Sequence, residues 1–138
     1  MKILFPFVGD SVGGSHISAI ELIKELKNTG ADILIVLHVE NGPLAYFLNK
    51  QELSYSIVPA QKLAGEKPNI LKVLIGIIRH FNYFRNYLIT NDINIVHGND
   101  LRINLSWSIP TKLSGRFFIW HQRVILSNSF LWNFIAYL

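Results

Sequence analysis

The chain has 138 residues, enough for one domain of ordinary size with a single hydrophobic core. Half of the residues are hydrophobic and only 16% are charged, so the composition excludes an intrinsically disordered protein. The net charge of +4 is spread along the sequence without the basic motif that nucleic-acid binding needs. The chain has no cysteine and its five histidines show no HExxH spacing, so we expect neither disulfides nor a metal site.

The first third of the sequence predicts a strand, a glycine-bearing loop and a helix. Residues 2–8 form an apolar run typical of a strand buried on both faces of a parallel sheet. Residues 9–14 (GDSVGG) form a loop, and a helix follows from Ser15 until Gly30 ends it. One face of that helix is apolar, consisting of Ala19, Ile20, Leu22, Ile23 and Leu26.

The remaining segments continue the alternation. Strands are predicted at residues 32–38, 55–58, 93–97 and 116–121, and helices at residues 43–50, 69–90 and 101–113. An apolar segment then runs to residue 138, too short for the ~20 residues of a membrane span. The pattern predicts a single α/β domain, a Rossmann-like open parallel sheet with helices on both faces.

Polar residues occur in four segments that follow predicted strands, at the carboxyl edge of the sheet, where such sheets bind ligands. Each of these junctions carries a histidine, namely His16, His38, His97 and His121. A histidine at the end of a strand is often structural, so its position alone leaves a functional and a structural role open.

Gly13 and Gly14 lie between the first strand and the first helix. Glycines there let backbone amides approach a phosphate at the positive end of the helix dipole. A tight turn with Ser15 as N-cap explains the same residues, and both interpretations stay open. Dinucleotide binding fits less well because the GxGxxG pattern is absent, although Glu40 lies where a ribose-binding acid is found in such proteins.

Two later junctions add candidate site residues. His97, Asn99 and Asp100 follow the fourth strand, where they could bind a polyhydroxylated ligand, or Asn99 or Asp100 could cap the next helix. His121 follows a very apolar strand, as a buried structural histidine or as a hydrogen-bond donor to a transition state.

The helix predicted at residues 69–90 carries Lys72, Arg79 and Arg85 but no acidic residue. Such a helix could touch an anionic lipid surface, or its basic residues could simply face water. The apolar segment after residue 123 has too few polar residues to face water on one side, so something outside the chain could cover it.

Taken in order, four segments resemble the N-terminal domain of GT-B fold glycosyltransferases, particularly glycosyltransferase family 4. They are KILFPFVGDSVGGSHISAIELIKELKNTGADILIVL, NGPLAYFLNK, DINIVHGND and RFFIWHQ, which together span nearly the whole chain. The resemblance implies that residues 1–138 form one half of a GT-B architecture, the acceptor-side domain. The donor-binding C-terminal domain would be absent, so we expect the isolated chain to be inactive.

The resemblance also implies roles for individual residues. Gly13 and Gly14 would lie near the donor diphosphate, and His121 would be the catalytic residue beside the reacting sugar. The acceptor site would consist of His16, His97, Asn99 and Asp100, although the family often has a histidine where this chain has Asn99. The reaction would be a retaining transfer that needs no metal and no cofactor, with a nucleotide-sugar as donor substrate.

The acceptor would be a sugar, glycan or lipid, as in the synthesis of cell-envelope polysaccharides. The implied location is the cytoplasm, with peripheral contact at the inner face of the membrane. Two other functions remain open: a one-domain binding partner of a separate donor-binding subunit, and a nicotinamide-binding Rossmann domain.

Overall fold

The computed structural model describes residues 1–60 and 70–121, in which strands and helices alternate. The elements are β1 (Lys2–Phe7), α1 (Gly14–Asn28), β2 (Asp32–Leu37), α2 (Pro43–Lys50), β3 (Ser56–Ile57), α3 (Ile70–Thr90), β4 (Ile95–Gly98), α4 (Leu101–Leu113) and β5 (Phe117–Trp120). The predicted segment after residue 121 lies outside the described residues.

The strands form one parallel sheet in the order β3-β2-β1-β4-β5. Alternate residues of β1 point to opposite faces, so the sheet has a hydrophobic core on each side. Phe5 and Phe7 pack with α1 and α2 on one face, while Leu4 packs with α3 and α4 on the other. The predicted Rossmann-like α/β fold with helices on both faces is therefore confirmed.

Several predicted boundaries differ from the observed ones by one or two residues, and two of these differences have a specific structural cause. β4 begins at Ile95 rather than at residue 93, since the amide of Ile93 donates to the carbonyl of Leu88 and closes the end of α3. The N-cap of α1 is Gly13 and not Ser15, because the helix already begins at Gly14. The end of α1 is as predicted, with Gly30 in the left-handed conformation.

The long helix α3 does not bury all its apolar residues. Phe84 and Leu88 are fully buried against the sheet and α4. Four other apolar side chains of α3 are exposed on the outward face: Leu71, Ile75, Ile78 and Ile89. One apolar stripe of α3 therefore faces outward, away from the sheet. Within residues 1–60 and 70–121, no helix has the length and apolarity needed to cross a membrane.

Candidate functional site

The candidate site lies at the carboxyl ends of β1 and β4, in the middle of the sheet. β2 pairs with β1 on one side and β4 pairs with it on the other, so the strand order reverses between β1 and β4. Open parallel sheets bind ligands at such a reversal, where the loops after the two strands diverge and leave a crevice. Residues 8–13 follow β1 and residues 99–100 follow β4, and both loops carry predicted site residues.

Gly13 and Gly14 form the start of α1, and both are exposed. A Cβ on Gly14 would meet nothing within 4 Å, and one on Gly13 would meet only the ring of His16 at 3.9 Å. Neither glycine has a positive φ. Neither crowding nor backbone conformation among the described residues therefore requires glycine here, and both Cβ positions are open. The amides of Gly14 and Ser15 have no acceptor inside the helix.

His16 lies directly beneath this turn and is only 6% exposed. Its Nδ1 accepts a hydrogen bond from the amide of Gly13 at 3.2 Å. Burial lowers the pKa of His16, although the Asp100 carboxylate partly opposes that effect, so the ring is neutral at pH 7. Because Nδ1 accepts, we assign the proton to Nε2, which is buried without a hydrogen-bond partner.

Asn99 and Asp100 join the β4 end to α1 and α4. Asn99 is 1% exposed; its Nδ2 donates to the carbonyl of Ser15 at 3.1 Å, while its Oδ1 has no hydrogen-bond partner. Asp100 is the N-cap of α4 and accepts from the amide of Ile103 at 3.0 Å. Of the two alternatives for this loop, helix capping is confirmed for Asp100, whose other carboxylate oxygen is buried without a hydrogen bond.

His97 and His121 meet at the same edge of the sheet. The His97 ring is 7% exposed and stacks on Phe5 with 4.8 Å between the ring centroids. The His121 ring meets it edge-on at 5.5 Å. The backbone supports this pairing, since the amide of His121 donates to the carbonyl of Gly98 at 3.0 Å. The structure thus brings together these two predicted site residues.

An ion pair that was not predicted from the sequence spans the crevice. Arg102, in the first turn of α4, donates two hydrogen bonds to the Asp10 carboxylate, at 2.7 and 3.0 Å. These bonds raise the pKa of Arg102, so the guanidinium is always charged. The one signal in the sequence is positional, because an acidic residue follows β1 and a basic residue follows β4, and those strands are neighbours.

His38, the remaining junction histidine, has a structural role. Its Nδ1 donates to the carbonyl of Val58 at 2.6 Å and its Nε2 accepts from the Trp107 indole at 3.0 Å. Both ring nitrogens are therefore used inside the core on the α3 and α4 side. Burial lowers the pKa of His38 to about 4, which keeps the ring neutral.

Solved structures of known proteins share the fold of this chain. No family model matches the chain, and the search of curated proteins found no match. A glycosyltransferase from Rickettsia africae has a TM-score of 0.66 at 20% identity, covering 96% of this chain and 33% of its own. MurG from Acinetobacter baumannii has a TM-score of 0.64 at 16% identity, with coverages of 99% and 38%.

HepE from Anabaena, solved in complex with UDP and glucose, has a TM-score of 0.63 at 19% identity, covering 92% of this chain and 31% of its own. The chain thus shares its Rossmann-like α/β fold with part of these GT-B glycosyltransferases. It spans about a third of the length of these proteins. Other solved structures with this fold include a hydrogenase domain, so the fold does not by itself define the chemistry.

Proposed function

We propose that the chain is the acceptor-side domain of a GT-B glycosyltransferase that transfers a sugar from a nucleotide-sugar donor to a glycan, lipid or other acceptor. The observation that carries this proposal is the open turn at Gly13 and Gly14, which no contact or conformation in the described residues explains. A backbone without side chains at a helix N-terminus suits a diphosphate, because amides and helix dipole both favour negative charge. The similar HepE structure holds UDP and glucose.

In this proposal the turn stabilises the leaving group. The amides of Gly14 and Ser15 would bind the departing diphosphate, and their fixed direction would avoid the reorganisation that water requires. His121 would donate a hydrogen bond to the reacting sugar, with its ring supported by contact with His97. We propose a retaining transfer that needs no metal ion.

The acceptor would meet the polar groups beneath the turn. His16 offers a buried donor at Nε2, while Asn99 and Asp100 offer buried acceptors at one oxygen each. A sugar hydroxyl both donates and accepts, so such a mixed set fits an acceptor hydroxyl better than it fits a phosphate. His97 would form the apolar-backed side of the same acceptor site.

The donor nucleotide would bind elsewhere. Since the chain spans about a third of the similar glycosyltransferases, we propose that a second Rossmann-like domain, or a partner subunit, supplies the nucleotide site. The 138-residue chain alone is then expected to lack transferase activity.

Turnover of a full-length protein containing this chain tests the role of His121. His121→Ala should lower the rate of sugar transfer about a hundredfold, the effect of losing one donor to the developing charge. The matched control is His80→Ala, since His80 stacks on Phe84 of α3 on the opposite face of the sheet. Normal turnover of His121→Ala would remove His121 from the catalytic role.

We also propose that the exposed stripe of α3 touches a lipid surface. Leu71, Ile75, Ile78 and Ile89 face outward with the exposed Arg85, and α3 has no acidic residue. An apolar stripe with basic neighbours is the pattern of a helix lying at the surface of an anionic membrane. A lipid-linked acceptor would reach the site along such a surface.

A further inference from the structure

The loop that presents Gly13 and Gly14 is held at both ends by side chains of the β4–α4 junction. At its beginning, Asp10 receives two hydrogen bonds from Arg102, at 2.7 and 3.0 Å. At its end, the carbonyl of Ser15 receives one from Asn99, at 3.1 Å. The two anchors thus span the crevice between β1 and β4.

Both anchoring side chains belong to the capped start of α4. Asn99 and Arg102 flank Asp100, which caps α4 by accepting from the amide of Ile103 at 3.0 Å. Ile103 is fully buried in the core, as is Trp107 one turn further along α4. The direction of both anchoring side chains is therefore defined by a packed helix start.

Between the anchors, the loop is exposed to solvent. Ser11, Val12, Gly13 and Gly14 are all exposed, and the two glycines add conformational freedom that must be lost when the loop is ordered. Gly13 is restrained by the start of α1, since its amide donates to the ring of His16 and its carbonyl accepts from the amides of His16 and Ile17 at 3.0 and 3.1 Å. The anchors at Asp10 and Ser15 add to these bonds and fix how the start of α1 is placed over the crevice.

Arg102 also changes the electrostatics of the loop. A bare Asp10 carboxylate would repel a phosphate that approaches the same loop, whereas the paired carboxylate is neutralised. The Asp10 and Arg102 side chains are only 20% and 25% exposed, so water weakens their interaction less than it would on an open surface.

We propose that Asn99 and Arg102 are positioning residues that hold the Gly13-Gly14 loop in the geometry that accepts a phosphate group. They act on the phosphate through the loop and do not touch it, and the Oδ1 atom of Asn99 stays available to the acceptor. The proposal rests on the proposed function for the identity of the ligand, but the restraint on the loop is independent of it.

Titration of the ¹⁵N-labelled chain with inorganic pyrophosphate, followed by NMR, tests the proposal. The amides of Gly14 and Ser15 should shift in the wild type, and the apparent Kd should rise about tenfold in Arg102→Met and in Asn99→Ala, as expected for the loss of a charge-assisted hydrogen bond. The matched control is Arg116→Met, which also removes one charge. Arg116 pairs with Asp92 at 3.7 Å on the opposite, amino-terminal edge of the sheet. The Kd of Arg116→Met for pyrophosphate should therefore stay within twofold of wild type.

Arg102→Lys separates positioning from charge. Lysine keeps the positive charge but lacks the planar fork that makes two bonds to one carboxylate. It should therefore recover only part of the affinity. Full recovery by lysine would show that charge alone matters and would overturn the positioning role, as would wild-type affinity in both Arg102→Met and Asn99→Ala.

Amide hydrogen exchange without ligand keeps the two proposals distinguishable. The amide of Gly13 is bonded to the ring of His16 and should exchange about tenfold faster in either anchor variant than in Arg116→Met. If pyrophosphate fails to bind the wild type, the phosphate role of the loop is wrong, and the exchange rates alone decide: faster exchange supports the anchors, and unchanged exchange overturns them.

Discussion

The junctions after β1 and after β2 lie side by side on one sheet, yet they differ in whether their buried polar groups have hydrogen-bond partners. After β2, both nitrogens of His38 are hydrogen-bonded, and Gly42 packs so closely that a Cβ would overlap the carbonyl of Gly9. After β1, a Cβ on Gly14 would meet nothing, and the buried Nε2 of His16 has no partner. The junction after β2 thus satisfies its polar groups within the chain, whereas the junction after β1 does not.

This difference separates residues that maintain the fold from residues that we propose to bind a ligand. A buried polar group without a hydrogen bond costs about 1 to 3 kcal/mol, so a folded protein seldom keeps several of them in one place. His16, Asn99 and Asp100 each leave one such atom at the β1 and β4 ends. A histidine at a strand end is therefore informative only after the partners of its ring are known.

Alanine substitutions at Gly42 and Gly14 should give the largest difference in stability between the two junctions. Gly42→Ala should lower the free energy of unfolding by about 3 kcal/mol or more, because its Cβ would force the Gly9 backbone to move. Gly14→Ala should change that free energy by no more than about 0.5 kcal/mol, since its Cβ would meet only open space. Urea denaturation of both variants measures the difference, and similar losses would contradict the contrast between the junctions.

The closed junction should also make stability depend on pH. The pKa of His38 is lowered to about 4 in the folded state from 6.5, so the unfolded chain binds the proton first as the pH falls. Stability is then fully present above pH 6.5 and is lost progressively down to pH 4, by up to about 3 kcal/mol from this group. Denaturation at several pH values gives the free energy of unfolding as a function of pH. That free energy should depend less on pH across this window in His38→Gln than in the wild type, and an equal dependence would show that His38 is not responsible.

The open junction should respond through binding and not through stability. Gly14→Val should weaken pyrophosphate binding about tenfold, which is about 1.4 kcal/mol, because the side chain covers the space in front of the helix amides. Calorimetric titration measures the affinity, and Ser54→Val is a control that adds the same side chain at a distant exposed position between α2 and β3. Unchanged affinity in Gly14→Val would mean that the turn is not an anion site.

The smallest expected effect concerns the outward stripe of α3. Ile78→Ser should weaken binding to phosphatidylglycerol vesicles about fivefold, since one exposed isoleucine that becomes partly buried in lipid is worth about 1 kcal/mol. Leu113→Ser removes an exposed apolar residue from α4 and serves as the control in the same flotation assay. Equal losses in both variants would argue for nonspecific adsorption.

The sequence by itself determined the fold class and most element positions. α2 at residues 43–50 and α4 at residues 101–113 were both predicted with the observed bounds. Where a boundary was wrong, a specific contact had decided it, such as the Ile93 amide that closes α3 instead of opening β4. Local pattern does not encode such contacts, because they depend on which carbonyl lies nearby.

Tertiary structure alone decided which contacts the candidate residues make. Four junction histidines look alike in sequence, but only the packing of Trp107 and Val58 around His38 makes that one structural. The pair of Asp10 and Arg102 joins residues 92 positions apart, so no local spacing could reveal it. The physical reason is the strand order, since β1 and β4 become neighbours only when the sheet forms and brings their polar ends to one crevice.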